Sequence, residues 1–357
     1  MRKRALAPLA LLALLPLAAT MPAASAAGGP VPIAEHLNNP RQMTFGPDGT
    51  LYVAEAGTGA VNATVRGRCF SGPEGTACPG NTASITAVHR PGTAGADSSR
   101  RVVTGLLSIA GKDGSFAVGL DAIDFAPDGK LFGILAAAPP GLPRSLARQA
   151  GEVLTGLRGD RPVTVADIAA YSFAHPNPGH EADSDPYGIA AVGSTIYVVD
   201  AANNTLLKVT RDGRISTLRV FPYRHGSNGF DTVPTSVVVG PDGMLYVGTL
   251  ASFVPGAAKV YVINPDNGRV VRTIDGLTTV SAVDVGANGT VYAAELFAGC
   301  PPDDSSCTPG RVVVIPRHGD RHEIEVPLPG GVAVHEGHLY VSVLAVVPGG
   351  GAVWRLR

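Results

Sequence analysis

A short phrase, a tight turn leading into an apolar strand, recurs along the whole chain and limits the folds open to it. One copy reads GPDGMLYVGT over residues 240–249, with a Pro-Asp-Gly turn followed by a strand that carries a tyrosine. The aromatic residues of the six copies are Tyr52, Phe132, Tyr197, Tyr246, Tyr292 and Tyr340. The later copies lie about 50 residues apart, which is typical of four-stranded propeller blades. The sequence predicts an all-β fold, a six-bladed β-propeller, with these aromatic residues packed between neighbouring sheets.

The two ends of the chain predict how the ring closes. After Tyr340 there is room for the strands HLYVSVL and GAVWRLR but not for another. Residues 31–37, VPIAEHL, form a spare strand ahead of the first inner strand. We expect this N-terminal strand to complete the last blade.

Residues 1–26 are typical of a signal peptide. A basic start is followed by an apolar run, which prolines interrupt, and then by the cleavage pattern Ala24-Ser25-Ala26. The interrupted run is a poor transmembrane anchor. We expect cleavage after Ala26, a secreted or periplasmic protein, and a single monomeric propeller domain over residues 27–357.

Net charge and cysteine usage further narrow the functional classes that fit this chain. The mature chain would carry a net charge of about −4, which does not suit nucleic-acid binding, and no later segment is long enough to span a membrane. Cys69 with Cys78, and Cys300 with Cys307, form two local pairs. Disulfide bonds are the expectation in an exported protein. Zinc is the alternative, although its sites usually space Cys more closely and add His.

Insertions are concentrated on one side of the predicted ring. In four-stranded blades, loops between the second and third strands emerge beside the connections between blades. We call this side the loop face, and the side with the Pro-Asp-Gly turns the turn face. The long segments of the loop face are residues 56–83, 107–119, 136–150, 171–187, 222–234, 251–258 and 297–310. Elaborate loops on a rigid scaffold usually carry function.

Two carboxylates are predicted on inner strands of opposite blades. Counting back eight residues from each aromatic residue superposes Thr44, Asp124, Ile189, Val238, Asp284 and Val332. Asp124 and Asp284 belong to blades 2 and 5, so both can face the central channel and hold Ca²⁺. The alternative is that each carboxylate accepts hydrogen bonds from the backbone of a neighbouring blade.

Polar residues at the starts of the inner strands form a second candidate site. They are Arg41, Asp121, Tyr187, Thr235 and Ser281. A cation, a carboxylate, a phenol and hydroxyls suit a small polar ligand at the channel mouth, but they match no nucleophile-base-acid order. Glu55, Asp200 and Glu295 end the second strands of blades 1, 3 and 5 and are expected to rim the same face.

The segment HPNPGHEADSDPYG, residues 175–188, is the densest cluster of metal-binding side chains. His180, Glu181, Asp183 and Asp185 are candidate ligands for Ca²⁺ or, through histidine, for a transition metal. The alternative is an ordinary solvent-exposed loop, since the segment lacks EF-hand spacing.

Longer segments, taken together, resemble the ScyD/ScyE family of exported proteins. They are residues 39–57, 163–190, 233–250, 255–268 and 329–343, in order along the mature chain. The resemblance implies an extracytoplasmic NHL-like propeller and supplies no catalytic residues.

The sequence is compatible with functions of different classes. The first is a secreted binding module that holds a small polar ligand or another exported protein on the loop face. The second is a metal-dependent hydrolase of the gluconolactonase/regucalcin type, in which a channel metal activates water. A quinoprotein dehydrogenase is a third, without a convincing His/Arg set for the quinone. The lack of a recognisable catalytic constellation favours binding.

Overall fold

Turns of Pro-Asp-Gly type and the apolar strands that follow them build hairpins, and these assemble into six blades. The computed structural model describes residues 29–72, 75–92, 99–157, 162–178, 181–223, 229–298 and 310–356. In the first half of the chain the strands are β1 (Val31–Leu37), β2 (Pro40–Phe45), β3 (Leu51–Glu55), β4 (Phe70–Gly72), β5 (Gly75–Val88), β6 (Ser99–Ala110), β7 (Leu120–Phe125), β8 (Leu131–Leu135), β9 (Glu152–Thr155), β10 (Val163–Asp167), β11 (Pro186–Val192), β12 (Thr195–Asp200), β13 (Thr205–Thr210) and β14 (Ile215–Val220). In the second half they are β15 (Pro234–Val239), β16 (Leu245–Thr249), β17 (Ala258–Ile263), β18 (Val270–Leu277), β19 (Val280–Val285), β20 (Val291–Glu295), β21 (Arg311–Ile315), β22 (His322–Glu325), β23 (Gly331–His335), β24 (His338–Val343) and β25 (Gly351–Leu356).

The sheet topology confirms the six-bladed β-propeller. From the inner strand outwards, the blades are β2-β3-β5-β6, β7-β8-β9-β10, β11 to β14, β15 to β18, β19 to β22 and β23-β24-β25-β1. The short strand β4 pairs antiparallel with the start of β5. Strand β1 pairs antiparallel with β25, with Val31 opposite Arg355 and Leu37 opposite Gly351. The predicted closure by the N-terminal strand is therefore confirmed.

Short helices lie in the loops. They are α1 (Arg144–Ala147), α2 (Ile168–Ala174) and a 3₁₀ turn at Ala251–Phe253. No helix within the described ranges is long and apolar enough to cross a membrane.

The core is divided among the junctions between blades. A cluster of buried apolar side chains fills each of the six junctions. Five of the six aromatic residues of the repeat are buried and Tyr292 is half-buried. Tyr52 of blade 1 packs edge-on against Phe125 of blade 2, with ring centroids 5.0 Å apart. The predicted packing of the aromatic residues between sheets is confirmed.

The register corrects the superposition of the inner strands in blades 3 and 6. Residues opposite the aromatic anchors are Ala190 and Ala333, and not Ile189 and Val332. In these blades the hairpins close through two residues, because Val192 pairs with Thr195 and His335 with His338. The Pro-Asp-Gly hairpins have longer turns, so counting eight residues back overshoots by one in the shorter ones.

Candidate functional site: the channel and the loop face

The five predicted ligand residues occupy one structural position. In each of the five inner strands the pairing register shifts where they stand, between Pro40 and Met43 in blade 1 and at the matching places in blades 2 to 5. A β-bulge of this kind redirects a side chain out of the regular alternation. Four of the five side chains are buried, and Tyr187 is half-buried.

Arg41 and Asp121 form a buried ion pair between blades 1 and 2. The Nε atom of Arg41 lies 3.4 Å from an Asp121 carboxylate oxygen, and its Nη2 atom donates to the carbonyl of Ala117. The other Asp121 oxygen accepts the Gly119 N–H at 3.3 Å. Burial raises the pKa of Asp121 to about 7, while the Arg41 charge acts to lower it. The two facing atoms, Arg41 Nε and the nearer Asp121 oxygen, form no hydrogen bond, so the pair is held by charge attraction and by the bonds to Ala117 and Gly119.

Thr235 and Ser281 connect successive blades. The Thr235 hydroxyl donates to the carbonyl of Val280 at 2.6 Å, and the Ser281 hydroxyl donates to that of Pro329 at 2.8 Å. Ser342 continues the pattern by donating to the carbonyl of Arg41 at 3.0 Å. These bonds join blade 4 to 5, 5 to 6 and 6 to 1, so the hydroxyls stabilise the ring.

Gln42 bridges the channel, which sequence reasoning missed. Its amide Nε2 donates to the carbonyl of Thr235 at 2.7 Å, although the two residues belong to opposite blades 1 and 4. Matching positions in the other inner strands hold small residues, namely Ala122, Gly188, Ser236, Ala282 and Gly331. A Cβ on Gly331 would lie 2.4 Å from the Arg41 carbonyl oxygen, so this blade approaches too closely for any larger residue. Small residues at this level leave space that the Gln42 side chain fills.

Asp124 and Asp284 each bind the backbone of the following blade. An Asp124 oxygen accepts the Ala191 N–H at 2.8 Å, and its other oxygen accepts the Thr44 hydroxyl at 3.0 Å. An Asp284 oxygen accepts the Val334 N–H at 2.7 Å, and its other oxygen accepts the amide next along its own strand. These are the interblade hydrogen bonds named as the alternative to a metal site.

The two channel carboxylates also have perturbed acidity. Burial raises the pKa of both Asp124 and Asp284 to about 6, and the Asp124 charge adds to the rise for Asp284. All four oxygens already accept hydrogen bonds, and no group of three or more His, Cys, Asp or Glu within the described ranges is placed to hold a metal. The donor set does not fit a Ca²⁺ site built from several converging carboxylates.

Glu55, Asp200 and Glu295 are buried, which corrects their predicted place at the rim. Each accepts a backbone N–H from just ahead of the inner strand of its own blade, at 2.7 to 2.8 Å. Glu55 and Glu295 also bind Arg101 and Arg311, at 2.7 and 2.6 Å. These carboxylates fix the paths of the connections, since a buried acceptor requires its donors.

The acidic loop does not converge on one point among its described residues. Glu181 and Asp183 are exposed, and the Asp183 carboxylate accepts the N–H of Ser184 at 2.8 Å. The N–H of Asp185 donates to the buried Asp200. His180 lies outside the described residues.

One of the two predicted disulfides lies within the described residues and is confirmed. Cys69 and Cys78 are bonded, which joins the start of β4 to β5 within the long loop of blade 1. Cys300 and Cys307 lie outside the described residues. A disulfide in this loop is compatible with an oxidising compartment.

Comparisons with solved structures find propeller proteins at low identity. A streptogramin B lyase is 11% identical with a TM-score of 0.46, and the match covers 87% of this chain and 78% of the lyase. A nidogen/laminin complex is 15% identical with a TM-score of 0.47, covering 74% and 83%. A putative gluconolactonase is 11% identical with a TM-score of 0.47, covering 93% and 95%. No protein-family profile and no curated protein sequence matches the chain, so the resemblance to the ScyD/ScyE family stays a prediction.

Proposed function

We propose that this protein is a secreted binding propeller of the ScyD/ScyE type, which holds a small polar ligand or another exported protein on its loop face. The observation that carries the proposal is the use of the polar groups in the channel. Arg41, Asp121, Asp124, Asp284, Thr235 and Ser281 all bond to protein groups, and Gln42 spans the channel. Recognition then falls to the loops, since loops on a rigid scaffold disproportionately carry binding residues. Tyr187 belongs to the proposed surface, because it keeps the most accessible side chain of the five bulge residues.

Hydrogen exchange on the mature chain tests this proposal. A library of small polar compounds is screened by ligand-observed NMR, and each hit is then mapped by amide exchange. We expect protection in one or more of the described loop-face segments, which include residues 56–69, 111–119, 136–151, 171–178, 181–187, 229–233 and 250–257. Hits that protect only the Pro-Asp-Gly turns, on the opposite face, would overturn the proposal.

Export is tested separately. The protein is expressed with residues 1–26 in a host with a general secretory pathway, and the N-terminus of the recovered product is read by mass spectrometry. Cleavage before Ala27 is the expected result. An intact N-terminus on protein recovered from the cytoplasm would contradict export.

A second candidate, a metal-dependent hydrolase of the gluconolactonase type, rests on one observation. Asp124 and Asp284 lie on inner strands of opposite blades, and both have raised pKa values. The assay is lactone hydrolysis with Ca²⁺ and with EDTA, for the wild type, Asp284→Asn and the exposed control Asp266→Asn. Ca²⁺-dependent turnover that Asp284→Asn alone abolishes, with its fold retained, would replace the binding proposal with this one.

A further inference from the structure

A cavity of about 300 Å³ opens on the loop face over blade 1. It is lined by Ala60, Val61, Asn62, Arg66, Cys78 and Lys112. Arg66 comes from the long loop of blade 1, and Lys112 from the connection between blades 1 and 2. Two cations from separate segments therefore converge on one concavity, and none of the described residues that line it is a carboxylate. Its volume is at the lower end of the range for small-ligand sites.

The wall that carries Arg66 is held rigidly. The N–H of Ala60 donates to the carbonyl of Cys78 at 3.0 Å, and Cys78 is bonded to Cys69. Gly59 has φ of 58°, and a Cβ there would lie 2.4 Å from the Cys78 carbonyl oxygen, so the loop packs directly on β5. Arg66 Nε donates to the carbonyl of Ala63 at 3.0 Å. This bond orients the guanidinium while its two terminal nitrogens keep their donors for another group.

The wall that carries Lys112 is a tight turn. The N–H of Gly111 donates to the carbonyl of Ser115 at 3.0 Å, and the N–H of Gly114 returns to the carbonyl of Gly111 at 2.9 Å. The buried Asn39 at the start of blade 1 donates from Nδ2 to the Gly114 carbonyl at 2.9 Å. Both walls are thus fixed before any ligand arrives, which reduces the entropic cost of binding.

The surroundings of the cavity are strongly basic. Exposed cations of the loops over blades 1 and 2 form what we call the basic patch, which comprises Arg66, Arg68, Lys112, Arg144 and Arg148. None of them forms an ion pair with another residue in the described part of the chain. Asp113 is the one carboxylate in the described segments that carry these cations, residues 56–69, 111–119 and 136–151, and hydrogen bonds from Ser115 lower its pKa and occupy it. The whole chain carries a net charge of −1, so this patch opposes the overall balance.

We infer that this cavity binds small organic anions through a carboxylate or phosphate group. This inference rests on the proposed function, because it places the ligand on the loop face and names its chemical class. The Arg66 guanidinium offers a planar pair of donors, which matches the oxygens of either group. Lys112 adds a compact charge from the opposite wall, and the remaining cations of the patch raise the local concentration of anions.

Calorimetric titration of the mature protein tests the inference. The probes are inorganic phosphate and citrate, each at an ionic strength held constant with sodium chloride. The variants are Arg66→Gln, Lys112→Gln and their combination, with Lys130→Gln as control. Lys130 is an exposed cation on the turn face of blade 2, so the control removes the same charge far from the cavity. We expect saturable binding of at least one probe, weakened about threefold by each single change and about tenfold or more by the double change. The anion affinity of the control should stay within about twofold of the wild-type value.

The outcomes separate the inference from the proposed function. Binding of neither anion, or equal binding by wild type and double variant, overturns the anion site. An equal loss in Lys130→Gln would do the same, since the effect would then be one of net charge. If neither anion binds but screening hits protect other loop-face segments, the inference fails and the proposed function stands. Hits confined to the turn face defeat the proposed function whatever the titration shows.

Discussion

The channel and the basic patch both contain arginines, but these arginines differ in burial and in pairing. In the channel Arg41 is buried and its Nε atom lies 3.4 Å from the Asp121 carboxylate. In the patch Arg66 is exposed, and its terminal nitrogens bond to no described group. Taking a charge out of water costs so much free energy that a buried charge requires a partner, whereas an exposed one is already solvated. The charges of the channel are therefore part of the structure, and those of the patch are available to a ligand.

The largest effect should come from breaking the buried ion pair. Arg41→Met leaves Asp121 in the core without its counter-charge, so the free energy of unfolding should fall by about 3–5 kcal/mol. Urea unfolding at pH 8 measures it. The double change Arg41→Met with Asp121→Leu should recover much of the loss. A loss below about 1 kcal/mol in the single variant would contradict the structural role of the pair.

The next effect should come from the interblade hydrogen bonds. Asp284→Ala leaves the Val334 N–H unpaired between blades 5 and 6, which should cost about 1–3 kcal/mol in the free energy of unfolding. The exposed Asp266→Ala is the control and should stay within about 0.5 kcal/mol of the wild type. Equal values for the two variants would show that Asp284 does not hold the blades together.

A pH titration of thermal stability should show a graded effect, because the buried carboxylates titrate over a range of pH. Burial raises the pKa of Asp124 and Asp284 to about 6, of Asp121 to about 7 and of Glu152 to about 8. The folded protein therefore binds these protons more tightly than the unfolded chain does, and the stabilisation is lost as the pH rises through 6 to 8. The melting temperature should fall between pH 5 and pH 8.5 at constant ionic strength.

Glu152 accounts for the upper end of this pH range. It lies opposite Asp167 in the pairing of β9 with β10, and after burial this second charge raises its pKa further. Glu152→Gln should flatten the slope above pH 7. A melting temperature that is constant or increases up to pH 8.5 in the wild type would contradict the raised pKa values.

The smallest effect on stability is expected in the basic patch. Arg66→Gln and Lys112→Gln remove solvated charges, so each should change the free energy of unfolding by less than about 0.5 kcal/mol. The same variants should show the largest loss of anion binding. A destabilisation as large as that of Arg41→Met would remove the distinction between the two regions.

The repeat is the part of the fold that could be predicted from the sequence. A tight turn acts on its immediate neighbours, so the three Pro-Asp-Gly turns and the three related turns predict six hairpins without knowledge of their surroundings. The one-residue difference in the register of blades 3 and 6 has the same local origin. The segments AVGSTIY and HEGHLY lack the longer turn of the other copies, and this difference is visible in the sequence.

The polar sites were less predictable, because their partners are far away along the chain. Asp124 binds Ala191, and Gln42 binds a carbonyl that is 193 residues away. The sequence around Gln42 does not indicate that it bridges the channel, since a glutamine in an inner strand is compatible with many environments. Glu55, Asp200 and Glu295 were expected at the rim because strand ends are usually exposed, but the connections fold back over them.

The sequence by itself determined the number of blades, the hairpins within them and the strand that closes the ring, since these depend on turns and on alternation over a few residues. Only the tertiary structure decided which charged groups are buried and paired within the protein and which remain in solvent. Ring closure brings opposite blades together, buries the inner-strand polar groups against one another and leaves the cations of the loops over blades 1 and 2 in water. Pairing follows burial, and burial is a property of the assembled ring.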